Sequence, residues 1–100
     1  MYLIEKTLEF DKWLKKLKDL RAKAKILFRI QRIESDGHFG DCKPVGDGIS
    51  EMRVDFGKGY RVYYKLKEEK VIILLVDGNK STQQGDIKKA KQIWDKLKNT

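Results

Sequence analysis

Arg53, Arg61 and Lys65 stand in two short segments, ISEMRVDF and YRVYYKLK, separated by GKG. Arginine grips a phosphate through a planar fork, and lysine meets it as a point charge. Tyr63 lies among them, and a phenol ring can stack on a base. Three cations and a phenol on one rigid surface suit an RNA cradle. The same group can stabilise a pentacoordinate phosphorane, in which negative charge builds on the phosphate oxygens. Lys80 in DGNKS and Gln84 in STQQG follow the last apolar segment and add a cation and an amide near its end. Each residue also has a plainer reading. Arg53 and Arg61 can pair with Glu51 and Asp55 across a hairpin. Tyr63 can be an ordinary strand residue, Gln84 a helix cap and Lys80 a solvated loop lysine.

Other chemistries find little support. His38 and Cys42 are four residues apart in a glycine-rich stretch with no second His or Cys, and a zinc site needs more ligands. A Cys–His nucleophile pair is outweighed by two unrelated loop residues. Neither GDGISEM nor GKGYR has the G-x-x-x-x-G-K-[ST] spacing of a phosphate-binding loop. The lysine-rich helix faces read as solvated surface.

The elements that must position the cations follow from periodicity. Tyr2 to Lys6 reads as a short strand. Thr7 can cap a helix whose Phe10, Trp13, Leu14 and Leu17 share one face, with Glu9 and Asp11 in its first turn. Asp19 can cap a second helix, whose apolar line is Ala22, Ile26, Ile30 and Ile33. The short connection between the two predicts an antiparallel helix hairpin. Ser35 to Gly48, with four glycines and the only proline, reads as loop. Three strands follow: ISEMRVDF, then YRVYYKLK after the GKG turn, then KVIILLVDG after Glu68-Glu69. The last is apolar on both faces, which predicts a central position. Ile87, Ala90, Trp94 and Leu97 mark a closing helix that starts either at a Ser81/Gln84 capping box or at Gly85-Asp86. The predicted order is βααβββα, an α+β domain in which two or three helices cover the one apolar face of a mostly antiparallel four-stranded sheet. Alternation then gathers Glu51, Arg53, Arg61, Tyr63 and Lys65 on the opposite, outward face.

The chain has 100 residues, the size of one domain, and 40% are apolar, enough for one core. Lys and Arg number 23 against 15 Asp and Glu, a net charge of +8 that favours polyanionic partners. A single cysteine rules out an internal disulfide and fits a reducing cytoplasm. The N-terminal segment carries acids and no small-residue cleavage site, and the longest apolar run, Val71 to Val76, is far too short to span a bilayer.

FDKWLKKLKD, AKAKILFRIQRIE, GDCKPVGDGISEMRVDFGKGYRVYYKL and VIILLVDGNKSTQQGDIKKAKQIW appear in that order over nearly the whole chain. Together they resemble the RelE/ParE toxin superfamily, and within it the HigB-like group often labelled addiction module killer proteins. The resemblance implies a helix hairpin on a small twisted antiparallel sheet. It also implies the toxin of a type II toxin–antitoxin module, a cytoplasmic ribosome-dependent mRNA endonuclease that needs neither metal nor cofactor. In that reaction the ribose 2′-OH attacks the adjacent phosphate and leaves a 2′,3′-cyclic phosphate and a 5′-OH. By the same resemblance Arg61 binds phosphate and stabilises the transition state, with Arg53 second in that role. Lys80 protonates the leaving 5′-oxygen or stabilises charge, Gln84 orients Lys80 or the RNA, and Tyr63 and Lys65 contact RNA. The implied partners are a helix-turn-helix antitoxin, the ribosome and its mRNA, and operator DNA through the antitoxin, with no membrane.

Many relatives carry a His or Tyr near the C-terminus, whereas this chain ends WDKLKNT. The general base is therefore not identified, and Glu51 is a poor candidate because neighbouring cations would lower its pKa. Two other functions stay open at this stage. One is a ParE-like poison of DNA gyrase without RNA cleavage, and the other is an RNA-binding member without catalysis.

Overall fold

The computed structural model describes residues 2–77 and 83–98. β1 (Leu3–Lys6) leads into α1 (Leu8–Lys16) and α2 (Leu20–Asp36). β2 (Cys42–Gly46), β3 (Ile49–Val54), β4 (Tyr60–Lys67) and β5 (Lys70–Asp77) follow, and α3 (Gln83–Lys98) closes the described chain. The strands form one sheet in the order β1-β5-β4-β3-β2. β1 runs parallel to β5, and the other pairs are antiparallel. The apolar strand β5 is thus internal, as its two-sided pattern requires.

Both predicted caps form. The Thr7 hydroxyl accepts from Phe10 N at 3.2 Å and donates to the Leu74 carbonyl at 2.9 Å, so one side chain starts α1 and ties it to β5. Asp19 accepts from Arg21 N at 3.0 Å and Ala22 N at 3.2 Å, which starts α2. Gly37, in the left-handed region at φ 67°, ends α2.

The sheet has five strands where the sequence predicts four. The extra strand, β2, lies inside the segment read as loop. Pro44 cannot donate to a ladder, yet an edge strand tolerates it. β2 is that edge, paired only with β3. The β2–β3 turn is Asp47-Gly48, with φ of 55° and 76°, the backbone that a two-residue Asp-Gly hairpin needs.

Helices cover both faces of the sheet, which corrects the expectation of a single covered face. The α1–α2 hairpin lies on one side, where Phe10, Ile26, Ile30 and Ile33 meet Met52, Val54, Val62, Tyr64 and Ile73. α3 lies on the other, where Ala90 and Ile93 meet Ile49, Tyr63, Ile72, Leu74 and Leu75. A register shift places Tyr63 opposite Leu75 and Tyr64 opposite Ile73, so consecutive Leu74 and Leu75 both reach the α3 side. The start of α3 also decides between the two alternatives: Gly85 lies inside the helix, not before it. Ser81 of the capping box lies outside the described residues.

Candidate functional site

β3 and β4 pair with Glu51 opposite Tyr63 and Arg53 opposite Arg61. The five side chains of the cationic set therefore do share a face, but α3 roofs part of it. Among the described residues, the end beyond α3 is left uncovered. There a cleft of about 280 Å³ is lined by Arg53, Arg61, Lys58, Tyr60, Asp41 and Asp55, among others. Gly57 and Gly59 in its turn have φ of 60° and 86°, and nothing stands within 4 Å where a Cβ would be. The turn backbone is thus open to an approaching ligand.

Glu51 organises this end of the sheet. It is fully buried, and its Oε1 lies 3.5 Å from Arg61 Nε and 3.8 Å from Arg53 Nε. Its Oε2 accepts a 2.8 Å hydrogen bond from Gln83 Nε2, at the first turn of α3. A carboxylate in water would gain little from such pairs. Buried, it needs them, since an unpaired charge there costs several kcal/mol. The Arg61 side chain is 9% exposed and that of Arg53 52%, so one arginine lies deep and the other at the mouth. The pairing with Glu51 foreseen as the plainer reading exists, and it coexists with both arginines lining the cleft.

The other predicted residues fall as follows. Tyr63 does not face outward: it has no exposed surface and sits in the core beneath α3. The reason is the helix on that face, which alternation within one strand cannot reveal. Lys65 also turns toward α3, its ammonium 5.4 Å from the Trp94 ring centre. Gly48 leaves room for it, since a Cβ there would collide with the ammonium. Gln84 is exposed, and it is the neighbouring Gln83 that meets the sheet. Lys80 lies outside the described residues.

Sequence reasoning missed Gln83, Lys58 and Tyr60. For Gln83 a signal existed. Positions 83, 87, 90 and 94 form one helical stripe, so the apolar line that identified α3 already pointed Gln83 at the sheet. Lys58 and Tyr60 read as turn and core. Tyr60 does meet the core edge-on at Trp13, 5.8 Å between ring centres, while also lining the cleft.

Three cations, two carboxylates and one phenol line the cleft, a set that can hold a phosphate and a neighbouring ring. Among the described residues no group of three or more His, Cys, Asp or Glu is placed to bind a metal. On the opposite face, burial pushes the Tyr64 phenol well above its ordinary pKa, reinforced by its hydrogen bond with Cys42.

Comparison with known proteins shows where this fold recurs. In fold, the chain resembles a chain in the crystal structure of the intact E. coli RelBE toxin–antitoxin complex, with a TM-score of 0.63 and 16% identity. The match covers 76% of this chain and 94% of that one. A conserved hypothetical protein of Helicobacter pylori, HP0892, matches with a TM-score of 0.48 and 17% identity, over 77% of this chain and 93% of that one. In sequence, an uncharacterised protein of Haemophilus influenzae is 56% identical over 94 residues, 94% of each chain. The family model described as phage derived protein Gp49-like (DUF891) matches residues 12–98, from within α1 to the end of α3. With α2, the strands of the cleft and the helix that roofs them all inside that match, the chain belongs to the Gp49-like family of phage-derived proteins.

Proposed function

We propose that this protein is the toxin of a type II toxin–antitoxin module and that it cuts mRNA on the ribosome at the Arg53/Arg61 cleft. The observation that carries the reading is the convergence of Arg53, Lys58 and Arg61 on one open cleft, with the two arginines set by a single buried carboxylate. The fold of a chain in a toxin–antitoxin complex supports the toxin assignment. The resemblance to the HigB-like group supports the finer one, and with it a small helix-turn-helix antitoxin as the partner.

The reaction asks little of the protein. The ribose 2′-oxygen attacks phosphorus, the bond to the 5′-oxygen breaks, and a 2′,3′-cyclic phosphate and a 5′-OH result. Negative charge grows on the non-bridging oxygens, where Arg61 and Arg53 meet it. Tyr60 and Lys58 take the places at the cleft that strand alternation assigns to Tyr63 and Lys65. Lys80 is the proposed donor to the 5′-oxygen. Alignment of the 2′-OH with the leaving group supplies much of the acceleration, and the ribosome holds the mRNA for it.

Primer extension on a reporter mRNA, in reconstituted translation with and without ribosomes, tests the reading. Wild type should cut only with ribosomes. Arg61→Ala should cut about 10²–10³-fold less, the usual cost of one charge-stabilising donor. Lys80→Ala should lose cutting as well. Full cutting by Arg61→Ala would end the reading, and growth arrest without any cuts would transfer it to DNA gyrase.

A further inference from the structure

The cleft does not hold the charge surplus of this protein. Residues 12–32 carry nine Lys and Arg and one acid, a balance of 9 − 1 = +8. The remainder of the chain carries 14 basic and 14 acidic residues and is neutral. The cations thus crowd the inner part of the α1–α2 hairpin; over its full length, residues 8–36, the hairpin holds nine basic and five acidic residues, 9 − 5 = +4.

Helix stability does not explain it. Among the described residues, the ion pairs to Glu5, Asp47, Glu51 and Asp95 use no cation of this segment. Lys12 and Lys16, and Arg21 and Lys25, repel at i,i+4. α2 has no acid in its first turn, where Arg21 and Lys23 stand instead, and no base in its last, which holds Glu34 and Asp36. The Asp19 cap suits the dipole at the start, but the first-turn cations and the last-turn acids oppose it. Arg29 differs from its neighbours in having a structural role, since its guanidinium donates to the carbonyls of Arg53 and Phe39.

We propose that the outer face of the hairpin is an RNA-docking surface, distinct from the Arg53/Arg61 cleft and continuous with its rim. Continuity rests on two contacts, Trp13 of α1 against Tyr60 of the cleft and Arg29 of α2 on the Arg53 carbonyl. A membrane surface fits poorly, because the apolar stripes of both helices already face the sheet, and an interfacial helix needs one free. The composition on α2 favours RNA with unpaired bases. Arg21, Lys25, Phe28 and Arg32 fall at i, i+4, i+7 and i+11, one stripe, and Phe28 is 55% exposed within it. Cations follow a phosphate backbone, and an aromatic ring between them stacks on a base. The surface works whether the cleft cuts RNA or only holds it.

The test is fluorescence anisotropy with a labelled RNA stem-loop across a salt series. A variant with Lys16→Gln, Lys18→Gln, Arg21→Gln and Lys25→Gln should lower the slope of log affinity against log salt by about 3–4, close to one per lost phosphate contact. Its affinity at about 100 mM salt should fall by about 100-fold or more. Its melting temperature should not fall, which separates lost docking from lost folding. Phe28→Ala should weaken binding of the stem-loop and not of a blunt RNA duplex. Arg61→Ala should change the slope by no more than about one. An unchanged slope in the fourfold variant would overturn the proposal, as would equal binding of a blunt DNA duplex or displacement of the RNA by phosphatidylserine vesicles. Absence of cutting beside the expected slopes would overturn only the endonuclease reading.

Discussion

Glu51 has no exposed surface, and its two oxygens hold both arginines of the cleft and the first turn of α3. Removing it takes that carboxylate from beside the buried Arg61. Glu51→Ala should therefore destabilise the fold by about 3–5 kcal/mol, the range for breaking a buried pair on one side. Urea unfolding measures it, and a loss under about 1 kcal/mol, the range of an exposed pair, would show that the carboxylate does not anchor the site. Tyr64 makes a prediction in pH. Burial favours its neutral form, so its folded pKa is raised above the unfolded value of about 10. Below that value both states hold the proton and stability does not change through this group. Above it the unfolded chain loses the proton while the folded chain keeps it, so stability falls as pH rises. Urea midpoints should drop between about pH 10 and 12, and Tyr64→Phe should remove part of that drop. An identical drop in Tyr64→Phe would exclude Tyr64 as its source.

After its Asp19 cap, the first turn of α2 holds cations and its last turn acids, both against the helix dipole. Arg21→Glu should raise stability by about 0.3–1 kcal/mol, read as a higher melting temperature at low salt and a smaller gain at high salt. A lower melting temperature would mean that Arg21 supports the fold by a contact the dipole does not describe. The caps of α1 and α2 were legible in the sequence because Thr7 and Asp19 act through the next turn of their own helices. The cationic alternation of β3 and β4 was legible for the same reason, being local. β2 was not, because its pairing with β3 is visible only once the Asp47-Gly48 turn outweighs Pro44 and the glycines. Nor was the position of α3. Strand patterns gave Tyr63 and Lys65 a face, but not what covers it, and Gln83 became a sheet contact through helical phase that Gln84 does not share.

Over the whole molecule, charge and chemistry divide between layers. Residues 12–32 of the hairpin carry nine cations against one acid, and the cleft sits where the two layers meet at Trp13 and Tyr60. A polyanion therefore meets its strongest attraction on one layer and its buried arginine on the other. The sheet itself joins distant parts of the chain. Within the sheet, among the described strands, β1 pairs with β5 alone: Leu3 N donates to the Glu69 carbonyl at 2.9 Å and Thr7 N to that of Ile73 at 3.1 Å. Such pairing across most of the sequence makes folding depend on late-made residues. During synthesis the first strand emerges without its neighbour, and α1 has no β5 to cover. The neighbour is made 67 residues later, since Leu3 pairs with Lys70, and it is still inside the translating ribosome when first complete. Closure of the sheet, and with it the seating of Arg61 between β3 and β5, must wait until β5 has left the ribosome. A protein whose proposed target is the ribosome thus reaches its working shape only after its central strand has left the one that made it.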